Sequence, residues 1–174
     1  MNTYLLILLR GIHIICGALW IGAAIVYLFF IKPSVKAIGP AGPQFMQNLA
    51  DRRRYPIFMM SISLLTVLAG GALYLYASGG FSLAWITTGP GLGFTIGSLA
   101  ALVAFFAGAF GIGPTSAQMG ALGGQISASG KAPTPEQMSQ LQALEKKLSR
   151  LETIDFVFLT ISMVTMATAR YWIF

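Results

Sequence analysis

Charge is what this chain has least of. Only five acidic and eleven basic side chains occur in 174 residues, and charged residues make up 9% of the total. A soluble globular domain carries roughly 25%. That deficit, with a hydrophobic fraction of 56%, excludes a water-facing globule. One cysteine excludes an intrachain disulfide. One histidine excludes a metal site built from several imidazoles of one chain. The apolar segments show no acid pair, no nucleophile–base pair and no proton-relay carboxylate, which argues against a hydrolase and against an ion-coupled pump. No Gly-rich loop precedes a soluble helix, so no nucleotide-phosphate cradle is expected. The basic excess is confined to two loops, and this reads as membrane orientation, with no nucleic-acid partner.

Long apolar runs fill the rest. Four spans are expected, over residues 4–31, 56–76, 92–112 and 154–172, each near the roughly 20 residues that cross a hydrocarbon core of about 30 Å. Lys32-Pro33 is expected to close the first. Pro56 suits the start of the second, because its missing N–H would be unpaired there anyway. The fold class is therefore all-α: a single polytopic domain over residues 1–174, an antiparallel four-helix transmembrane bundle. The loop at 32–55 holds Lys32, Lys36, Arg52, Arg53 and Arg54 against Asp51, and the loop at 113–153 holds Lys131, Lys146, Lys147 and Arg150. The positive-inside rule makes both cytoplasmic and puts both termini outside, with Trp85, Tyr171 and Trp172 at the outer interface. The residues ahead of the first span have no positive n-region, and the run is too long for a signal peptide, so the span is expected to be retained.

The third loop carries its own signals. Thr134-Pro135-Glu136-Gln137 reads as a helix cap with a capping-box partner. Met138, Leu141, Leu144, Leu148, Leu151 and Ile154 then repeat at steps of three and four, running into the fourth span. Thr115 to Ala128 is expected to extend the third span past Gly113-Pro114. Together they predict a cytoplasmic helical hairpin at about 113–153, read either as a docking arm or as two spans that overshoot the bilayer. The pairs Ala18/Gly22 and Gly108/Gly111, with Ala107, are spaced to bring helices close.

Chemistry concentrates in the first span. With seven residues per two turns, Arg10, Gly17, Ala24 and Ile31 form one row, and His13, Trp20 and Tyr27 the next, giving a polar and aromatic seam. His13 lies about 12 Å along the helix from Leu5. An ionisable residue at that depth is a functional-site hypothesis. It reads as an axial haem ligand or a copper ligand, or else as a hydrogen-bonding group toward Ser162 or Thr165 of the fourth span. Arg10, one turn outward with no acid on its side, either reaches the headgroups or holds an anionic group such as a haem propionate. Cys16 follows His13 by three positions and is a candidate second metal ligand, or a small core hydrophobe. Met59, Met60, Met163 and Met166 lie in the spans, as thioether ligands or as packing. Asp155 and Arg170 are read as markers of the two ends of the fourth span.

The run Leu9-Arg10-Gly11-Ile12-His13-Ile14-Ile15, with Trp20 and Gly22 after it, resembles the opening helix of a superfamily of small bacterial membrane proteins. That superfamily includes the CopD-type copper-resistance domain and the HemJ-type protoporphyrinogen oxidases. Arg52 to Arg54, Tyr55-Pro56 and the helix ending near Gly70-Gly71 resemble its second span, so the likeness covers about the first 80 residues. The resemblance implies a four-helix unit in the bacterial inner membrane. In the HemJ-type branch it implies haem b held by a first-helix histidine, here His13 with Arg10 as neighbour; in the CopD-type branch it implies copper handling. The chain lacks the further histidines of the HemJ-type pattern and its third-span lysine; the polar groups of that span are Thr95 and Ser98. A four-span branch of the superfamily is the closest fit. Three functions follow as expectations. One is a haem-b protein with His13 as ligand, Arg10 near a propionate, and Trp20 and Tyr27 lining the seam, including a homodimer sharing one haem. The second is a copper-binding or copper-transport unit on His13 and Cys16. The third is a non-catalytic scaffold or partner subunit in the lipid bilayer.

Overall fold

Asn2 opens the first helix: its side-chain oxygen accepts from the Tyr4 N–H at 2.9 Å, filling one of the orphan donors of a helix start. The computed structural model describes residues 1–174. It is helical almost throughout, with no strand, and four helices are long and apolar enough to cross a membrane: Thr3–Ala37, Tyr55–Ala77, Gly89–Ser129 and Pro135–Tyr171. Their outer surfaces expose Ile7, Leu8, Ile14, Ile15, Leu68, Leu99 and Phe110. Such apolar surface would drive association in water and is at ease in lipid.

The first and third helices outrun their expected ends. Lys32-Pro33 does not close the first, which continues to Ala37. Gly113-Pro114 does not break the third, which continues to Ser129, as the reading of Thr115 to Ala128 expected. A proline inside a helix loses its own N–H and its ring collides with the carbonyl four residues back. Both helices answer by widening into a π segment just ahead of the proline, over Tyr27–Ile31 and Ala107–Ile112. The residue before each proline then bonds five residues back: the Lys32 N–H donates to the Tyr27 carbonyl, and the Gly113 N–H to the Gly108 carbonyl. The extra residue in the turn makes room for the ring.

The fourth helix begins as its sequence predicts. The Thr134 hydroxyl accepts from the Gln137 N–H at 3.3 Å and the Gln137 side chain accepts from the Thr134 N–H at 3.0 Å. Gly130, at φ +62°, ends the preceding helix in the left-handed region where glycine is unstrained. The segment Gly113–Ser129 packs back along the fourth helix.

The helices associate chiefly as two pairs, first with second and third with fourth. All four meet where Trp20 and Ala24, Ile62, Ala104 and Leu159 form one buried cluster. The third–fourth pair is closed by a row the sequence reading passed over: Gly89, Gly93, Gly97, Ala100 and Ala104 are all buried. A Cβ on Gly93 would lie 2.8 Å from the Ala169 Cβ, and one on Gly97 2.6 Å from the Met166 Cγ. The small-residue pairs singled out from the sequence fare less evenly. Gly111 does sit against Leu151, but Gly22 and Gly108 face open space and Ala18 is exposed.

Candidate functional site

His13 packs on the second helix, not the fourth. Its Nδ1 lies 2.9 Å from the backbone carbonyl oxygen of Thr66. A carbonyl only accepts, so Nδ1 carries the proton and donates, and in the neutral ring Nε2 keeps its lone pair. The expected partners, Ser162 and Thr165, are engaged elsewhere: Thr165 donates to the Ile161 carbonyl at 2.8 Å, and Ser162 lies 3.9 Å from the Met166 sulfur.

A helix carbonyl is normally shielded by the side chain four residues on. Four residues after Thr66 stands Gly70, where a Cβ would meet the imidazole Nδ1 at 2.8 Å and Cε1 at 2.7 Å. The missing side chain lets the ring lie against the second helix and reach a carbonyl already engaged in the helix, using its second lone pair. Gly17, one turn on from His13, sits 3.5 Å from the Thr66 Cγ2 once given a Cβ, so the pair of helices is close there too.

The rest of the predicted seam divides. Arg10 is exposed. Trp20, 4% exposed, fills the apolar cluster with Ala24, Ile62, Ala104 and Leu159, and Cys16 and Met59 pack against the same cluster. No third His, Cys, Asp or Glu joins His13 and Cys16. Tyr27 turns to a different neighbourhood, at the end of the bundle that bears the basic loops. The structure therefore places His13, Trp20 and Tyr27 in three settings along one helix.

That third setting overturns the expectation that the spans hold no acid pair. Glu152 and Asp155 are 4% and 6% exposed on the fourth helix. They belong to its buried row, Leu148, Glu152, Asp155, Leu159 and Ser162, spaced four, three, four and three. The leucine stripe read from the sequence leaves this row after Leu148: Ile154 is 42% exposed. Stepping back by three and four from Leu159 and Ser162 would have landed on both acids, so the signal was present. Asp155 is thus a buried core residue, not a mere marker of the span's end.

Three side chains from other helices gather at this end of the acid row. Lys32 of the first helix places Nζ 2.5 Å from Glu152 Oε2, the one ion pair of the chain. Tyr27 lies beside Glu152, and Tyr55, at the start of the second helix, lies beside Tyr27. The two phenol rings stack with centroids 6.0 Å apart, and the Tyr55 hydroxyl donates to the Ala23 carbonyl at 3.2 Å. Both π segments flank this place. Lys32 directly follows one, and Gly111 of the other rests on Leu151, next to Glu152. Such widened turns are frequent at functional sites. Glu152 Oε1 is fully enclosed and has no hydrogen-bond partner. A comparison with family models, with curated proteins and with solved structures finds no match for this chain.

Proposed function

We propose that this chain is a multi-pass bacterial inner-membrane protein that binds haem b through Nε2 of His13. The four long helices cross the bilayer as an antiparallel bundle. The basic loops lie in the cytoplasm, the termini outside, and Gly113–Ser129 with the start of the fourth helix forms a cytoplasmic hairpin. One observation carries the haem reading: the bond from Nδ1 to the Thr66 carbonyl fixes the tautomer and the ring, leaving Nε2 as the free donor. This is the usual arrangement of a metal-bound imidazole, where the far nitrogen's hydrogen bond orients the ring and raises its basicity. The residues present fit a single axial ligation. Arg10, one turn outward and exposed with no acid to compete for it, would hold an anionic propionate. Trp20 and Tyr27 take no part. When bound, haem would supply one-electron chemistry; the chain's own contribution is to hold the imidazole still. Copper on His13 and Cys16 is the weaker variant, since Cys16 packs with the core.

A second reading, a non-catalytic scaffold or partner subunit, is favoured by the closed apolar cluster around Trp20. In it the His13–Thr66 bond serves only to clasp two helices. Visible absorption of the purified protein, produced with haem available, separates the two. A Soret band that disappears in His13→Ala supports haem. Its absence from the wild-type protein overturns haem and leaves the clasp, while stoichiometric copper without a Soret band selects the copper variant.

A further inference from the structure

The buried acids pose a problem of charge that is independent of haem. Glu152 and Asp155 bring two carboxylates into an enclosed site, and Lys32 brings one ammonium. The third helix offers nothing, because residues 89–129 contain no ionisable side chain. The second offers Tyr55, whose hydroxyl proton is directed at Ala23; the arginines ahead of it, Arg52 to Arg54, are exposed. The first offers Tyr27 and Lys32; Lys36, one turn further, is exposed. On the fourth helix itself Lys146, Lys147 and Arg150 are exposed. If both acids were ionised, one negative charge would stand unpaired away from water, which is among the least favourable arrangements a protein interior can hold. Glu152 Oε1 is enclosed and has no hydrogen-bond partner.

We propose that Glu152 and Asp155 form a binding site for a single exchangeable proton. The proton comes from water at the basic end. It forms an O–H bond on one carboxylate oxygen, and with Lys32 it brings the site to neutrality. A proton fits better than a metal cation on two counts. A hard cation needs six or more oxygen ligands, and the ammonium already against Oε2 would repel it. A proton needs only one acceptor, and bound to one carboxylate it lets that group donate to the other oxygens of the pair. Because the acids share the site, the proton belongs to the pair and not to either residue.

The small number of acids makes the test direct. Asp51, Glu136 and Glu145, the only others, are exposed. Infrared spectra of the full-length protein in nanodiscs, followed from mildly acidic to alkaline pH, would show a protonated-carboxyl C=O band at neutral pH that shifts in heavy water. Isotopic labelling of aspartate or glutamate in the wild-type protein identifies the carrier without any substitution. Asp155→Asn is expected to abolish the band with the remaining acid ionised. No such band at neutral pH would overturn the proposal, as would a band untouched by either label. Loss of the band on adding an alkali cation at fixed pH would overturn it too, in favour of a metal ion. None of these outcomes depends on a Soret band.

Discussion

His13 and the Glu152–Asp155 pair are the two polar places in an apolar molecule, and they are built on opposite plans. At His13 one imidazole meets one carbonyl across a glycine, and no polar atom there is left enclosed without a partner. At the acid pair two acids, one ammonium and two phenols are gathered from three helices, and one carboxyl oxygen has no partner. The first arrangement joins two neighbouring helices. The second ties the first helix to the fourth, which otherwise touch little. A lone polar group can satisfy itself on a backbone it already lies against; surplus charge needs recruitment from distant parts of the chain.

Removing Lys32 should be the most damaging way to press this contrast. Lys32→Met leaves Glu152 buried without its cation, and a loss of about 3 kcal/mol is expected, toward the lower end for broken buried pairs because Lys32 is about one-third exposed. Adding Glu152→Gln to it should restore a good part of that loss, since the orphaned charge is then gone. Thermal unfolding in detergent reads both. Next comes Gly70→Ala, whose new methyl group must displace the imidazole; about 2 kcal/mol of overpacking is expected, with any His13-dependent spectrum altered. His13→Ala removes one hydrogen bond to a carbonyl that keeps its helix partner, so roughly 1 kcal/mol should go. If it proves as costly as Lys32→Met, the two places are not different in kind. The smallest effect belongs to Gly22→Ala, within about 0.5 kcal/mol of neutral or slightly stabilising, since the site faces open space and alanine favours helix.

The helical class and the four long apolar runs were legible because hydropathy and length alone decide them. The Thr134–Gln137 cap was legible because its chemistry is local, written in four adjacent residues. The helix end at Pro33 was misjudged for a reason equally local: proline forbids one hydrogen bond but not a wider turn. Of the site, His13 stood out as the lone histidine inside an apolar run, but its partner did not. A backbone carbonyl exposed by Gly70 leaves no mark that pattern reading would find 53 residues away in sequence. The acids were hidden by a competing pattern. Leu151 and Ile154 keep the leucine rhythm one position ahead of Glu152 and Asp155, and hydrophobicity alone prefers the wrong row. Only the later members, Leu159 and Ser162, show which row turns inward.

The widened turn at Tyr27–Ile31 has a consequence for tolerance to change. It inserts one residue into the helix, and each residue turns the chain by roughly 100°. Shortening that turn by a single residue would restore regular winding and swing the lysine's direction around the axis, away from the fourth helix. The bulge thus sets the phase of everything beyond it, and a deletion there would part Lys32 from Glu152 without removing any charged residue.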